Sequence, residues 1–154
     1  MSDERTLVPQ DGEYFHAIGL AAVAFARLEW DAVWCCERLD PGYINTIEQK
    51  KKTAGTIAGD LVGFFERIDN VHLKAKVVPF AQEFAAVVVE RNGLLHGKPA
   101  TAPNGDQRLF RHGEEWSVSK VQAFADRCVV AGTPLNALLY AEFTEPCQIA
   151  LRAK

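Results

Sequence analysis

An all-α bundle of four to five helices, with a small β-hairpin or loop excursion before the last helix, is the fold the sequence predicts. Three observations carry it. Apolar residues recur at three-to-four spacing over most of the chain, turn residues cut that pattern into long segments, and one stretch between residues 104 and 118 is strand-compatible and bounded by turn residues. With 154 residues at 48% apolar content, the chain can bury one core and is short for two, so residues 1–154 are read as a single domain.

The first helix spans residues 13–39, with Phe15, Ile18, Ala22, Phe25, Leu28 and Ala32 along one face at about 100° per residue. Leu20, Val23, Trp30, Val33 and Trp34 widen the apolar surface beyond one stripe, as expected of a helix contacted from two sides or lying in a dimer interface. Asp40-Pro41-Gly42 ends it, since proline disfavours helical geometry before it and glycine tolerates the turn. Asn45 followed by Glu48 has capping-box spacing and opens a second helix with Ile57, Leu61, Phe64, Phe65 and Ile68 as core positions. Lys50, Lys51 and Lys52 are a solvated face of it, or else a phosphate-contact patch. Gly55, Gly59 and Gly63 recur every fourth residue, which predicts close approach of a neighbouring helix.

A third helix follows a break near Asp69-Asn70, carries Leu73, Val77, Phe80, Phe84 and Val88 on one face and reaches about Leu95. Pro79 kinks its first turns or marks a late start, and Gly97 is placed to cap its end. A loop runs from Lys98 to Gly105. Gln107 to Arg111 and Glu115 to Val118, joined at His112-Gly113, form the hairpin. Ser119 with Gln122 opens the last helix, which Gly132-Thr133-Pro134 kinks or splits; Leu135 to Phe143 resumes helical, and the tail after Pro146 is irregular.

Composition narrows the function classes. No apolar run approaches the roughly 20 residues that cross a bilayer, no secretory leader is apparent in Met1 to Arg5, and the expected location is the cytoplasm. Cys35, Cys36, Cys128 and Cys147 lack the spacing of a zinc or redox pair and are read as reduced, buried small hydrophobes. No His, Cys and carboxylate set has metal geometry and no glycine-rich phosphate cradle is present, so neither metal nor cofactor is expected. A net charge of −3 argues against coating nucleic acid by bulk electrostatics while permitting a local basic patch.

One anomaly points to chemistry. Extending the apolar line Val77, Phe84, Val88 reaches Arg91 and Leu95, so a guanidinium stands where periodicity predicts an aliphatic side chain. Asn92 and His96, four apart, lie one above the other beside it. A permanent planar donor, an amide and a titratable imidazole suit holding a phosphate while a proton moves. The C-terminal helix dipole repels an anion, so side chains must hold it. The plainer reading is that an Arg and a His here merely cap carbonyls.

The segment Glu90-Arg91-Asn92-Gly93-Leu94-Leu95-His96-Gly97 resembles the signature of the HEPN superfamily: an Arg, often followed by Asn, four to six residues, then a His at the end of a long bundle helix. The helical order extends the resemblance loosely over most of the chain. It implies a metal-independent endoribonuclease acting as a homodimer, with paired motifs facing one another across a cleft. In that mapping His96 is the general acid or base, Arg91 stabilises charge on the phosphorane, Asn92 orients His96 or the scissile phosphate, and the product is a 2′,3′-cyclic phosphate. Many such proteins are toxins paired with an antitoxin protein. Others are non-catalytic helical modules binding RNA or a protein partner, which is the alternative here. A small-molecule-binding bundle ranks last. Glu29 is a candidate orienting partner for Arg91 across the bundle or a surface carboxylate, and Lys98, Arg108, Arg111 and His112 are candidate RNA contacts.

Overall fold

The Asp11 carboxylate accepts a hydrogen bond from the Tyr14 N–H at 3.0 Å and so starts α1, Gly12–Leu39. In this computed structural model, residues 11–146 and 149–153 are described. They form a mostly helical bundle with one small sheet before the last helix, as the sequence predicts. Near the end of α1, Glu37 turns to cap α2, Tyr43–Gln49, accepting from the N–H groups of Gly42 and Ile44 at 2.9 and 2.8 Å. The expected Asn45–Glu48 capping box is therefore not used: Gly42, at φ 96°, folds the first amides of α2 back onto the end of α1.

The predicted second helix is two helices. The chain breaks at Lys50–Lys52, where Lys51 takes a positive φ of 48°, and restarts on Thr53, whose hydroxyl accepts from Thr56 N–H at 3.2 Å to cap α3, Ala54–Glu66. The lysine run is thus a connection rather than a helix face, and Lys52 is committed to Asp60 at 2.8 Å and to the Tyr43 ring. The glycine stripe is a further correction. Added Cβ atoms at Gly59 and Gly63 would meet nothing within 4 Å, so among the described residues no helix approaches there.

Asn70 caps α4, Val71–Leu95, through Leu73 N–H at 2.9 Å. Pro79 neither delays nor ends α4. It sits on the exposed side, where water can serve the carbonyl it leaves unpaired. Strands β1 (Lys98–Thr101), β2 (Gln107–Arg111) and β3 (Glu114–Trp116) follow in antiparallel order β1-β2-β3. Lys98 to Thr101, expected as loop, pairs with β2 in the register Lys98↔Phe110 to Thr101↔Gln107. Ser117, rather than Ser119, caps α5, Val118–Leu139, by accepting from Lys120 N–H at 3.2 Å. Gly132 does not split α5: it is buried against Leu28 of α1 and lets the two helices close up. Helix α5 stops at Leu139 rather than reaching Phe143, which packs edge-on against Phe65 instead.

Helix α1 lies against α5 on one side and α3 on the other, and α4 likewise, so α1 and α4 are diagonal in the bundle. Phe25, Leu28, Ala32, Leu61, Phe65, Phe84, Phe124 and Leu135 fill the centre. At the start of α1 the buried line is Tyr14, Ala17 and Ala21, so Phe15 and Ala22 face solvent where the sequence placed them inward. Tyr14 is drawn in by the sheet, its hydroxyl accepting from Leu109 N–H at 3.1 Å. The tail is tied rather than loose: Leu151 bridges Ile68, and Arg152 N–H donates to the Arg67 carbonyl at 2.7 Å. Cys35, Cys36 and Cys128 are free and buried, and burial pushes the Cys128 thiol up to about 12. Cys147 lies outside the described residues. Among these residues no helix is long and apolar enough to cross a membrane.

Gly97 has no left-handed backbone; it is needed because β2 crosses directly above it, and a Cβ there would stand 2.9 Å from the Leu109 Cβ and 3.1 Å from the Leu94 carbonyl oxygen. Gly97→Ala should therefore cost about 1–3 kcal/mol of stability, typical of overpacking, measured by urea unfolding against wild type.

Candidate functional site

Helix α3 has 13 residues, whereas α1 has 28 and α4 has 25. At 1.5 Å per residue it covers about half the length of either neighbour. It packs against both α1 and α4. Between α1, α4 and Phe124 of α5 lies an open groove of about 180 Å³, lined also by Ile18, Phe25, Glu29, Arg91 and Leu95 and by no residue of α3.

Arg91 lies in that groove. Its guanidinium sits 5.1 Å from the centre of the Phe25 ring and its Nη1 donates to Asn92 Oδ1 at 3.0 Å. Its Nε is buried and has no hydrogen-bond partner. The sequence anomaly is thus real: Arg91 occupies the core-facing line of α4, and the groove is the reason a charge is tolerated there. Asn92, which the resemblance gives the task of orienting His96 or the scissile phosphate, here accepts from Arg91 through its Oδ1.

Glu29 lines the same groove but makes no ion pair within 4 Å of Arg91 among those recorded. Burial raises its pKa above the ordinary carboxylate value, and the Arg91 charge offsets part of that rise. The candidate orienting carboxylate and the guanidinium therefore share one cavity and feel one another's field.

His96 is the C-cap of α4. Its N–H donates to the Asn92 carbonyl at 3.0 Å, which keeps the four-residue stacking of the motif into the last turn. The side chain is exposed, and no hydrogen bond to the imidazole is recorded among the described residues. The His96 carbonyl accepts from Arg111 Nη1 at 3.1 Å, fastening the end of α4 to strand β2. The ring of Trp116 lies 3.5 Å from where a Gly93 Cβ would be, so the sheet is seated on the last turns of the motif helix.

The four candidate RNA contacts divide. Lys98, Arg111 and His112 line one surface cleft beside the sheet. Arg108 does not join them. It is 8% exposed, its guanidinium ion-paired to Asp11 at 2.9 Å and Asp106 at 2.8 Å, and it rests on the Tyr14 ring. Its role is to fix the sheet to the start of α1. Sequence reasoning passed over Phe110, which also lines the cleft and lies outside the core cluster. The signal was available: Leu109 and Phe110 are adjacent in a strand, so only one of them can face the helices.

No family model, curated protein or solved structure matches this chain.

Glu29→Gln tests the electrostatics of the groove. A carboxyl with a raised folded-state pKa contributes stability that is present below its unfolded pKa, roughly pH 4, and is lost as pH rises through the folded value. The variant should therefore melt above wild type at neutral pH and lose that advantage below about pH 4, as read by thermal unfolding across pH.

Proposed function

We propose that this chain is a HEPN-like, metal-independent endoribonuclease that acts as a homodimer. The observation that carries the reading is Arg91: a guanidinium held by Asn92 in an open groove, with its Nε unpartnered, five residues before an exposed imidazole. A half-buried guanidinium with no carboxylate in contact offers its free N–H groups to an anion.

In this reading the RNA 2′-hydroxyl attacks the adjacent phosphorus. The 2′-oxygen to phosphorus bond forms, the bond to the 5′-oxygen breaks, and the products are a 2′,3′-cyclic phosphate and a 5′-hydroxyl. His96 takes the 2′-hydroxyl proton or gives one to the departing 5′-oxygen, and two copies supply one imidazole for each transfer. Arg91 offsets the negative charge that grows on the phosphorane oxygens. Glu29 lies in the same groove, where its charge acts on Arg91 without contact.

Self-association is supported by α1. Phe15, Gly19, Leu20, Ala22, Val23, Ala26, Trp30 and Trp34 are all exposed, so the solvent side of this helix is apolar over most of its length. Gly19, Ala22 and Ala26 are small and would let a second α1 approach closely. Ala22 and Ala26 also line the Arg91 groove, so a copy docked on this face would close that groove and bring a second motif to its edge. The alternative, a non-catalytic helical dimer binding RNA or a protein such as an antitoxin, is favoured by the contact of Arg91 with Phe25, which a structural anchor would also make.

Purified protein should cleave a labelled RNA pool in EDTA and leave cyclic phosphate ends, with Arg91→Ala and His96→Ala each lowering the rate by about 10²–10⁴-fold. Cleavage that needs a divalent ion, or that survives in both variants, would refute the assignment. Ala22→Arg should turn a dimer into a monomer in light scattering and abolish cleavage with it; an active monomer would separate catalysis from association.

A further inference from the structure

The face of the sheet turned away from the core carries a cleft of about 330 Å³ lined by Lys98, Phe110, Arg111, His112 and Gly113. Two permanent cations, one imidazole and one aromatic ring line it, and no carboxylate does. That is a local excess of positive charge in a chain whose net charge is −3. The neighbouring acids are engaged elsewhere: Glu115, opposite Phe110 in the register, lies 3.8 Å from the Arg108 guanidinium, and Glu114 pairs with Lys120 at 3.1 Å.

The backbone places these groups deliberately. Lys98 and Phe110 are directly opposed across β1 and β2, so both side chains stand on one face. His112 and Gly113 form the two-residue turn into β3 with φ of 54° and 80°. Positive φ at both central positions favours Asn-Gly, and an imidazole there sits at the rim of the cleft. Phe110 is half-buried yet makes no part of the core, so its ring is a shelf rather than a packing element. Arg111 joins the cleft to the motif, since its Nη1 holds the His96 carbonyl.

We propose that this cleft binds one nucleotide of single-stranded RNA next to the scissile phosphate, with its base on Phe110 and its phosphate between Lys98 and His112. This rests on the ribonuclease reading for its position in the reaction but not for the binding itself. A nucleotide offers a flat π face and an anion together, which is the pairing the cleft presents, and single strands are bound through aromatic stacking and cationic grooves. The volume falls at the lower end of the ~300–1,000 Å³ typical of small-ligand sites, enough for a single unit. Arg111 is a positioning residue here, coupling occupancy of the cleft to the end of α4.

The test is fluorescence anisotropy of a labelled 2′-O-methyl single-stranded RNA, which lacks the attacking hydroxyl and survives incubation, beside cleavage of the unmodified strand. Phe110→Ala should weaken binding by about tenfold to a hundredfold while Phe110→Trp keeps it. Lys98→Ala should weaken binding and flatten its salt dependence by about one phosphate contact. Unchanged affinity in folded Phe110→Ala and Lys98→Ala, or no RNA binding by wild type at low salt, would overturn the proposal. Cleavage with an unaltered KM in Phe110→Ala would overturn it while leaving the ribonuclease reading intact. Binding lost in these variants of a protein that cleaves nothing would sustain the cleft and remove the ribonuclease.

Discussion

A helix of 13 residues set between helices of 28 and 25 is the constraint on which the rest of this structure turns. A four-helix bundle hides its central line only where four helices run side by side. Helix α4 runs on past the length of α3, and there Arg91 lines a groove while Val87, Val88 and Leu94 stay in the core. Arg91 is tolerable for that reason alone. The same guanidinium two turns earlier, near Phe84, would be sealed between aromatic rings with nothing to balance it.

The sheet completes what the short helix leaves unsupported. Trp116 lies over Gly93, Leu109 over Gly97, and Arg111 holds the His96 carbonyl, so the last two turns of α4 are gripped from one side by three strand residues. Helix ends ordinarily fray because their final carbonyls lack partners. Here the end bearing the imidazole is held at its backbone while the ring stays exposed to solvent. Arg108 anchors the other side of the sheet to α1 through Asp11, so the sheet is tied to both α1 and α4.

The helices were legible because their apolar spacing and their caps are local properties of the chain. Boundaries failed where a distant group decided them. Glu37 capping α2 cannot be read from residues 43–49, and the positive φ of Lys51 that breaks the chain before α3 carries no glycine to announce it. Strand β1 was missed because Lys98 to Thr101 has no alternation and is exposed along its whole length, its strand character coming only from pairing with β2. At the site, Arg91, Asn92 and His96 stood out from periodicity, but their surroundings did not. That Asn92 binds Arg91 and that Arg108 is an internal anchor are consequences of tertiary placement. The glycine stripe of α3 misled because spacing shows that a face is smooth and says nothing of whether a neighbour uses it.

The most extensive helix contact in the bundle joins its first helix to its last, and the Cys35 thiol meets the Leu135 carbonyl across 100 residues of chain. Synthesis is directional, so α1 leaves the ribosome long before the helix it packs against exists. For that interval both its core line and its apolar outer side are uncovered. The nascent chain therefore carries a helix with apolar residues on two sides and few charges between them, and native packing must wait until α5 has been made. Collapse onto other chains competes during that delay, which makes rate of translation and chaperone supply, rather than final stability, the quantities that set how much folded protein a cell obtains.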